Sequence, residues 1–544
     1  MIAFDTEDDS QGNLYIINFY DGKEHYTFYN EEDAIKFIYQ CKHKELYAHN
    51  LEYDLNNIFK SHLHLLELYY LSGRLIRAKL KKKNMYFYDS FNLSYTSLKN
   101  IGKQIGKDKL QAESFNDIEY CQRDCEIVYD YVTKIKEQFK EKGLKKTKST
   151  LAGYSQVNFL KNYCTFEIEG INVNEELLQA YYGGRCEAFH IGTVEQPIAE
   201  IDVNSMYPFV MLEQYPVSEA YKTKEPTTNL YIAKINVVVD TNILFPVIPK
   251  RYDGKLMFCT GSFTTFATSI EIQKAIEYKQ IKDIEYIDSY NFELTDYVFK
   301  NFVTEVYALR QIAKQEKDEF LSNYYKLLLN SVYGRFAMNS DIEVIASEYD
   351  KGEFVGTYNN VINRYKMKID SNEGKNYALP CFVTGYARVK LFEMIMKCYT
   401  NNLVPLYCDT DSIYCTYNDY MDVQDFFEYI QLLFTINNEL GNYSCNIYKC
   451  GAFFGAKKYM CLSYNDYEKI KCKGIPEAKR KEYITTGSTT IKKPVRLRTG
   501  LRSVRGYKLN EWIEQYVTTK TNYTKRKIIE TTNLLNTIPI ILEQ

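Results

Sequence analysis

A chain of 544 residues is too long for one compact core, so several domains are expected. Its hydrophobic fraction of 45% and charged fraction of 25% are those of a folded soluble protein and argue against a disordered chain. The net charge of −2 does not exclude a polyanionic partner, because such binding needs only a local basic surface.

No apolar run is long enough to span a membrane, so no membrane partner is expected. The chain opens with Met-Ile-Ala-Phe-Asp, which is typical of a buried strand and not of a signal or transit peptide. The fourteen cysteines form no CxxC pair, and Cys121 and Cys125 lack a second pair of ligands. This pattern favours reduced thiols in a cytosolic protein over a zinc site.

In chain order, the first part of the sequence alternates short strands and helices. Residues 1–19 contain two apolar runs around an acidic, glycine-containing turn, which predicts two strands. Residues 31–42 predict a helix, and LYAHNLEYDLNNIF predicts a strand that enters a helix. Residues 115–140 have the periodicity of an amphipathic helix, and the basic stretch EKGLKKTKST after it predicts a domain boundary.

The rest of the chain contains two long insertions between predicted core elements. A Gly-Gly turn at 181–185 precedes the apolar strand AEIDVNSMYPFVM. The following predictions are a strand-rich insertion at 211–300, a long helical segment at 302–336, a polar hairpin at 340–375, a helix at 377–398 and a strand–turn–strand at 404–417. The densest basic stretch, Lys492 to Lys508, has no acid before Glu511, and we expect it to contact nucleic acid.

Four acids in the first 125 residues have the arrangement of a metal-dependent hydrolase. Asp5 and Glu7 are two apart on a predicted strand, so they point to one face. Asp54 begins a predicted helix, and Asp124 follows Tyr120 by one helical turn. Converging carboxylates repel each other unless divalent cations bind between them. The set therefore predicts metal-assisted phosphodiester hydrolysis, with Tyr120 orienting the attacking water.

A second acidic set lies far along the chain. Asp409 and Asp411 occupy the turn of YCDTDS, where buried acids are costly unless they are paired or bind metal. Asp202, at the end of an apolar strand, would complete a three-carboxylate cluster. Such a cluster with two magnesium ions performs nucleotidyl transfer, because one ion activates the primer hydroxyl and the other holds the triphosphate.

A predicted helix between these acids carries the sequence KLLLNSVYG. Lys326, Asn330 and Tyr333 lie four and seven positions along it and share one face. A cation for the triphosphate, an amide and an aromatic platform for the nascent base pair fit that face. The three motifs together favour a nucleotidyltransferase over a surface acidic turn.

The motifs resemble those of the family B DNA polymerases. DVNSMYP, KLLLNSVYG and YCDTDS are similar to that family's motifs A, B and C, in the same order, and FDTE, HNLEYD and YCQRD are similar to its three exonuclease motifs. The resemblance extends from Asp5 to about Tyr459. The short length, the sequence Tyr181-Tyr-Gly-Gly and the two insertions are most similar to the protein-primed members from small linear-genome phages and linear plasmids.

The resemblance implies a multidomain protein of α/β and α+β class, with an RNase H-like exonuclease domain and a palm, fingers and thumb built on an antiparallel palm sheet. The implied domains are the exonuclease at 1–150, the palm at 151–210 and 376–480, a terminal-protein docking insertion at 211–300, the fingers at 301–339, a processivity and strand-displacement hairpin at 340–375, and the thumb at 481–544. The implied cofactor is Mg2+, two ions per active site, with Mn2+ as a substitute. The implied partners are template and primer DNA, dNTPs and a terminal protein, and we expect a monomer in a host cytoplasm.

The resemblance also implies roles for individual residues. The implied metal ligands are Asp5, Glu7, Asp54, Asp124, Asp202, the Val203 carbonyl and Asp411, with Asp409 close by. Tyr207 is implied as the steric gate against a 2′-hydroxyl, and the implied dNTP contacts are Lys314, Lys326, Asn330 and Tyr333. The implied DNA contacts are His49, Asn50, Tyr53, Ser97, Leu98, Tyr181, Gly183, Gly184, Lys457 and Tyr459. The exonuclease lysine is either Lys107 or Lys109.

Two alternatives stay open at the level of sequence. One is a family B polymerase that uses ordinary DNA or RNA primers. The other is a catalytically silent DNA-binding remnant, against which the retention of seven costly carboxylates argues. A stand-alone nuclease would leave Asp202, Asp409 and Asp411 unexplained.

Overall fold

The structure is a computed structural model that describes residues 1–9, 13–59, 62–71, 73–111, 117–338, 341–347, 362–368, 374–419, 421–466, 468–494, 512–518, 523–530 and 534–543. The predicted basic stretch at 492–508 lies outside the described residues from position 495 onward, and so does the tip of the predicted hairpin at 340–375. No helix in the described part of the chain combines the length and apolar character needed to cross a membrane.

The helices are α1 Glu31–Gln40, α2 Leu51–Ile58, α3 Phe91–Ser94, α4 Leu98–Gln104, α5 Asp117–Glu141, α6 Leu151–Asn162, α7 Met206–Val210, α8 Ser269–Glu277, α9 Lys300–Gln315, α10 Glu319–Arg335, α11 Ala378–Thr400, α12 Val423–Leu433 and α13 Glu477–Thr486.

The strands are β1 Ile2–Asp8, β2 Leu14–Tyr20, β3 His25–Phe28, β4 Glu45–Ala48, β5 Leu66–Leu71, β6 Arg74–Leu80, β7 Met85–Asp89, β8 Cys186–Ala188, β9 Gly192–Val194, β10 Ile198–Val203, β11 Tyr215–Pro216, β12 Tyr221–Thr223, β13 Tyr231–Val239, β14 Lys250–Tyr252, β15 Lys255–Met257, β16 Thr260–Thr268, β17 Ile281–Asn291, β18 Thr295–Asp296, β19 Asp341–Ser347, β20 Ile362–Lys368, β21 Leu403–Asp409, β22 Ser412–Tyr417, β23 Tyr443–Gly455, β24 Lys458–Ser463, β25 Glu468–Cys472, β26 Ser488–Pro494, β27 Trp512–Thr518, β28 Arg526–Ile528, β29 Thr537–Pro539 and β30 Ile541–Leu542.

Residues 1–163, 304–371 and 492–515 form the first of two compact units. Its main sheet has the order β20-β19-β5-β6-β7-β4-β1-β2-β3, in which β4 is parallel to β1 and to β7 and the other pairs are antiparallel. Helix α5 packs against β1 and β2 because Cys121, Cys125 and Val128 recur on one helical face and are buried. The thiols of Cys121 and Cys125 donate to the carbonyls of Asp5 and Asn18, at 3.5 and 3.3 Å.

Residues 164–303, 372–491 and 516–544 form the second unit. One sheet has the antiparallel order β25-β24-β23-β10-β22-β21-β8. Helix α11 packs against β21 and β22, where Cys398 contacts Cys415. Since side chains alternate along a strand, the neighbouring Tyr414 and its cross-strand partner Glu200 point to the opposite face of the sheet.

A second sheet in this unit comes from the predicted strand-rich insertion and has the order β12-β17-β13-β16-β30. Its last strand, β30, is contributed by the end of the chain and runs parallel to β16, with Ile541 opposite Thr260. Arg526, only 1% exposed, donates to the Leu244 carbonyl at 2.9 Å. Sequence patterns gave no sign that the last residues complete the sheet of the insertion.

Most predicted elements are confirmed, including the strands at 1–19, the helices at 31–42, 115–140 and 377–398, and the strand–turn–strand at 404–417. The single helical segment predicted at 302–336 is wrong in one respect, because it is two helices. Lys317 has a φ of +59°, which a helix does not permit, and the Asp318 carboxylate accepts the Leu321 amide at 2.8 Å and starts α10. The strands β19 and β20 of the predicted hairpin pair with each other, and β19 also pairs with β5.

Candidate active sites

The first unit brings its four predicted acids together around β1. Asp5 and Glu7 lie on β1, Asp54 on α2 and Asp124 on α5. The amide and hydroxyl of Thr6 both donate to Asp54, at 3.1 and 2.8 Å, so the strand that carries two of the acids also fixes the third. Thr6 was not singled out in the sequence, because its role depends on how α2 packs against β1.

Burial and neighbouring carboxylate charges raise the pKa values of Asp5, Glu7 and Asp54. Burial is the largest cause, and it raises the pKa of Asp5 and Asp54 well above their usual range and the pKa of Glu7 to about 7. The charges of Asp54 and Asp124 raise the pKa of Asp5 further. Such repulsion is relieved when a divalent cation binds between the oxygens, so the donor set fits Mg2+.

Among the residues that the structure describes, no three His, Cys, Asp or Glu side chains already have the spacing of a metal site. The fit to a divalent cation rests on the oxygen donors and their mutual repulsion. A cationic side chain also enters this cluster, because the Lys109 ammonium donates to Asp124.

The structure distinguishes the two candidate lysines. The Lys109 ammonium contacts Asp124 and lies 4.5 Å from the ring centre of Tyr120. Lys107 instead pairs with Glu126 at 3.3 Å and Asp130 at 2.6 Å, away from the four acids. Lys109 is therefore the lysine of the acidic cluster.

Four of the five residues predicted to hold a single-stranded end line one cavity of about 330 Å3, namely His49, Asn50, Ser97 and Leu98. Arg74 and Phe91 line the same cavity, with the guanidinium 4.3 Å from the ring centre of Phe91. Neither residue was predicted, because Arg74 on β6 and Phe91 on α3 belong to no recognisable sequence motif.

Tyr53, the fifth predicted residue, is not among the residues that line this cavity, and its hydroxyl bonds to Asp8 instead. The His49 Nδ1 atom and the Ser90 hydroxyl form a hydrogen bond at 2.9 Å. The pKa of His49 is lowered to about 4, chiefly because the ring is buried. The ring is therefore neutral near pH 7.

In the second unit, the turn between β21 and β22 carries the other acids. Thr410 has a φ of +67°, and its amide donates to the Arg185 carbonyl at 2.7 Å. The Val203 amide donates to the Asp411 carbonyl at 2.9 Å, and Asp202 is the cross-strand partner of Ser412. Asp202 on β10, Asp409 on β21 and Asp411 in the turn therefore lie at one end of three adjacent strands.

Gly184 of the predicted Tyr-Gly-Gly motif touches this turn. A Cβ atom at Gly184 would lie 2.7 Å from the Thr410 hydroxyl, so a side chain would displace the acidic turn. Arg388 of α11 donates to the carbonyls of Tyr182 and Gly183, at 3.0 and 3.2 Å, and pairs with the buried Glu271 at 2.8 Å. Arg251 donates to the carbonyl of Tyr181 at 3.0 Å, so the insertion also holds this motif.

Lys457 and Tyr459 lie beside the same turn. The Lys457 ammonium is 3.1 Å from Asp409. Burial opposes ionisation, but Asp409 and Asp411 outweigh it and raise the pKa of Lys457. The Lys457 amide donates to the Tyr407 hydroxyl at 2.9 Å, and the ring of Tyr459 packs 5.0 Å from that of Tyr407. Tyr207 is half-buried in the first turn of α7, which begins four residues after Asp202.

On helix α10 the side chains of Lys326 and Asn330 are exposed and that of Tyr333 is half-buried. This exposure agrees with the predicted position of all three on one helical face. Lys314 lies on α9 and its side chain is largely exposed. Partial desolvation of the ammonium lowers its pKa, and the charges of Arg310 and Lys326 lower it further. Three cations therefore lie close together on these two helices. Arg310 was not predicted, because nothing in its sequence context distinguishes it from other helical arginines.

The family described as DNA polymerase type B, organellar and viral, matches residues 105–422 of this chain. The DNA-directed DNA polymerase of Enterobacteria phage PRD1 is 29% identical over 421 residues, which span 73% of this chain and 72% of that protein. The DNA polymerase of Bacillus phage M2 is 24% identical over 432 residues, which span 68% of this chain and 71% of that protein.

A solved structure of Phi29 DNA polymerase complexed with primer-template DNA is similar in fold, with a TM-score of 0.74 at 19% identity. The match covers 95% of this chain and 99% of that chain. It confirms the predicted fold class, an α/β exonuclease-type domain with a polymerase hand built on an antiparallel sheet.

Proposed function

This chain belongs to the organellar and viral type B DNA polymerases and is a DNA-directed DNA polymerase, and we propose that it also proofreads at a separate 3′→5′ exonuclease site and initiates on a protein primer. The observation that carries the two-site proposal is the division of the acids. Asp5, Glu7, Asp54 and Asp124 belong to one compact unit, and Asp202, Asp409 and Asp411 belong to the other.

For synthesis, Asp202, Asp411 and the Val203 carbonyl would hold two Mg2+ ions, with Mn2+ as a substitute. When bound, these ions supply the charge that activates a primer hydroxyl and holds a triphosphate. Lys457, whose ammonium is 3.1 Å from Asp409, and Tyr459 would hold the primer terminus. Lys314 and Lys326 would bind the triphosphate, Asn330 and Tyr333 the nascent base pair, and Tyr207 would exclude a 2′-hydroxyl.

For proofreading, Asp5, Glu7, Asp54 and Asp124 would hold the divalent cations, which supply an activated water when bound. Lys109, which contacts Asp124, would stabilise charge that develops on the phosphate. The cavity of His49, Asn50, Ser97 and Leu98 would bind the single-stranded 3′ end. A 3′-labelled oligonucleotide should release labelled mononucleotide when Mg2+ is added, and full retention of the label would contradict this role.

The predicted domain boundaries are proposed in the same sense. Residues 1–150 would form the exonuclease domain, 151–210 and 376–480 the palm, and 301–339 the fingers. Residues 340–375 would form the processivity and strand-displacement hairpin, and 481–544 the thumb.

Protein priming is proposed from the insertion at 211–300. Four strands of this insertion form a sheet that β30 completes, and Lys224 and Glu225 are exposed. A folded platform between catalytic elements suits a protein partner. Incubation with a candidate terminal protein and one labelled dNTP at a time should give a covalent protein–nucleotide adduct with a single dNTP. Extension of DNA primers without any adduct would instead support conventional priming.

A further inference from the structure

Glu200 is a buried carboxylate with no role in the proposed synthesis or proofreading. It is 5% exposed and lies two residues before Asp202 on β10, so the two side chains point to the same face of the sheet. That face is opposite to the one covered by α11. A buried carboxylate is costly unless donors surround it.

Several donors converge on Glu200. One carboxylate oxygen accepts from the Tyr414 hydroxyl at 2.5 Å and from the Lys469 ammonium. The other accepts from the Tyr448 hydroxyl at 2.7 Å and from the Asn446 amide at 3.4 Å. A group that accepts from an ammonium and two hydroxyls is a carboxylate anion, which has no proton to give.

The anion fixes the direction of the next hydrogen bond. Tyr414 has one hydroxyl proton, which it donates in its hydrogen bond to the Glu200 carboxylate. The 2.9 Å contact between the hydroxyls of Tyr414 and Tyr459 therefore has Tyr459 as its donor. Glu200 thus determines, through Tyr414, both the place of the Tyr459 hydroxyl and the direction in which its proton points.

The chain of contacts ends at the acidic turn. The Tyr459 ring packs against Tyr407, whose hydroxyl lies 3.4 Å from an oxygen of Asp409. All of these tyrosines are buried, with Tyr407 and Tyr414 at 0% and Tyr459 at 4% exposure. In so closely packed a cluster, a change of proton direction at Tyr414 is transmitted as a change in the position of Tyr459.

We propose that Glu200 is a positioning residue for the primer terminus, which it serves by orienting Tyr459 through Tyr414. This proposal rests on the proposed function, in which Tyr459 contacts the primer terminus. Stability alone does not account for Glu200, because well-packed apolar side chains replace buried ion pairs at little cost or with a gain in stability.

The test compares single-turnover primer extension by the wild type, Glu200→Gln, Tyr459→Phe and the double variant. Glu200→Gln keeps the shape of the side chain and removes the charge that orders the hydroxyls. We expect it to raise the concentration of primer-template needed for half-maximal rate about tenfold, the scale of one charge-assisted hydrogen bond. The dependence on dNTP concentration should change much less.

The double variant carries the decisive result. If Glu200 acts through Tyr459, Glu200→Gln should add almost nothing in the Tyr459→Phe background. Tyr448→Phe is the matched control, because it removes a hydrogen bond to the same carboxylate without touching the branch to Tyr459, and its primer affinity should stay near that of the wild type. Independent, additive losses from Glu200→Gln and Tyr459→Phe would overturn the proposal, and so would equal losses from Glu200→Gln and Tyr448→Phe.

Should Glu200→Gln fail to fold, as thermal melting would reveal, Tyr414→Phe replaces it in the same cycle. Tyr414→Phe leaves the pair of Glu200 and Lys469 intact and removes the hydroxyl that links Glu200 to Tyr459, so the same lack of additivity is expected. Primer extension by the wild type tests the proposed function separately, because it does not depend on how Glu200 and Tyr459 combine.

Discussion

Lys107 and Lys109 are two residues apart, and their ammonium groups contact different acids. Lys109 contacts Asp124 in the four-carboxylate cluster, whereas Lys107 contacts Glu126 and Asp130 on the outer face of α5. The local sequence could not separate them, because a segment without helix or strand leads from α4 to this part of the chain. Their assignment depends on the path of that segment.

We expect Lys109→Ala to lower the rate of single-strand degradation about a hundredfold, which is the cost of removing one preorganised stabilising group. Lys107→Ala is the matched control and should remain within about twofold of the wild type, because its ion pairs are partly exposed. Release of mononucleotides from a labelled single strand measures both rates. A larger loss from Lys107→Ala than from Lys109→Ala would reverse the assignment.

Tyr207 follows Asp202 at the start of α7, where its ring is half-buried. If the ring packs under the incoming sugar, Tyr207→Val should raise ribonucleotide incorporation relative to deoxyribonucleotide roughly tenfold or more, because it opens space for a 2′-hydroxyl. Tyr207→Phe keeps the ring and should discriminate almost as the wild type does. The measurement is the ratio of ribonucleotide to deoxyribonucleotide incorporation in single additions. An unchanged ratio in Tyr207→Val would show that Tyr207 is not the steric gate.

Acidic site residues could be predicted from the sequence because carboxylates at hairpin tips and strand ends are costly without a purpose. The residues that surround these acids and line the neighbouring cavity could not be predicted in this way. Thr6, Arg74 and Phe91 are ordinary residues locally, and each reaches its site only through the packing of a distant strand or helix. The position of Glu200 could not be predicted for the same reason, since its four hydrogen-bond donors come from three other strands.

At the scale of elements, β19 pairs with β20 and also with β5, so the second insertion begins as a continuation of the nine-stranded sheet. A deletion must therefore spare the strands Asp341–Ser347 and Ile362–Lys368, whose loss would expose an edge of that sheet.

Deletion confined to residues 349–360, which lie outside the described residues, should leave single additions to a primer nearly normal. Long products should become rare when a trap prevents rebinding, and displacement of a downstream strand should fail, because the proposed hairpin keeps the enzyme on DNA. Product lengths under trap conditions measure this effect. Kilobase products from one binding event of the deletion variant would assign processivity to another element.

The first insertion offers a test of protein priming. Lys224 is exposed beside β12, whereas Arg251 holds the Tyr181 carbonyl and is unsuitable for substitution. Lys224→Glu should lower the yield of the terminal protein–nucleotide adduct several-fold through lost charge complementarity, with extension of a DNA primer unchanged. Lys36→Glu, an exposed reversal on α1, is the control for both assays. Equal loss of both activities in Lys224→Glu would indicate a role in folding or DNA binding.

Elements with strong periodicity were predicted well, whereas one local break and one long-range pairing could not be. Periodicity located α5 and α11 almost to the residue, but it continued through Lys317, where one residue with positive φ separates α9 from α10. No pattern links the last residues to the first insertion, yet β30 pairs with β16 across almost three hundred positions. Such pairing leaves no mark on the local sequence.

At the scale of the whole molecule, each compact unit has its own main sheet and its own carboxylate set. Burial and mutual charge raise the pKa values of Asp5 and Asp54 in the first unit, and Lys457 neutralises Asp409 in the second. No carboxylate belongs to both sets. The two chemistries should therefore be separable by substitution.

The most direct test is one experiment with a 5′-labelled primer annealed to a longer template, incubated with Mg2+ in the presence and absence of dNTPs. Asp409→Ala with Asp411→Ala should abolish extension and still shorten the primer. Asp5→Ala with Glu7→Ala should abolish shortening and still extend the primer to the end of the template. Loss of both activities in either folded variant would contradict the assignment of two independent active sites.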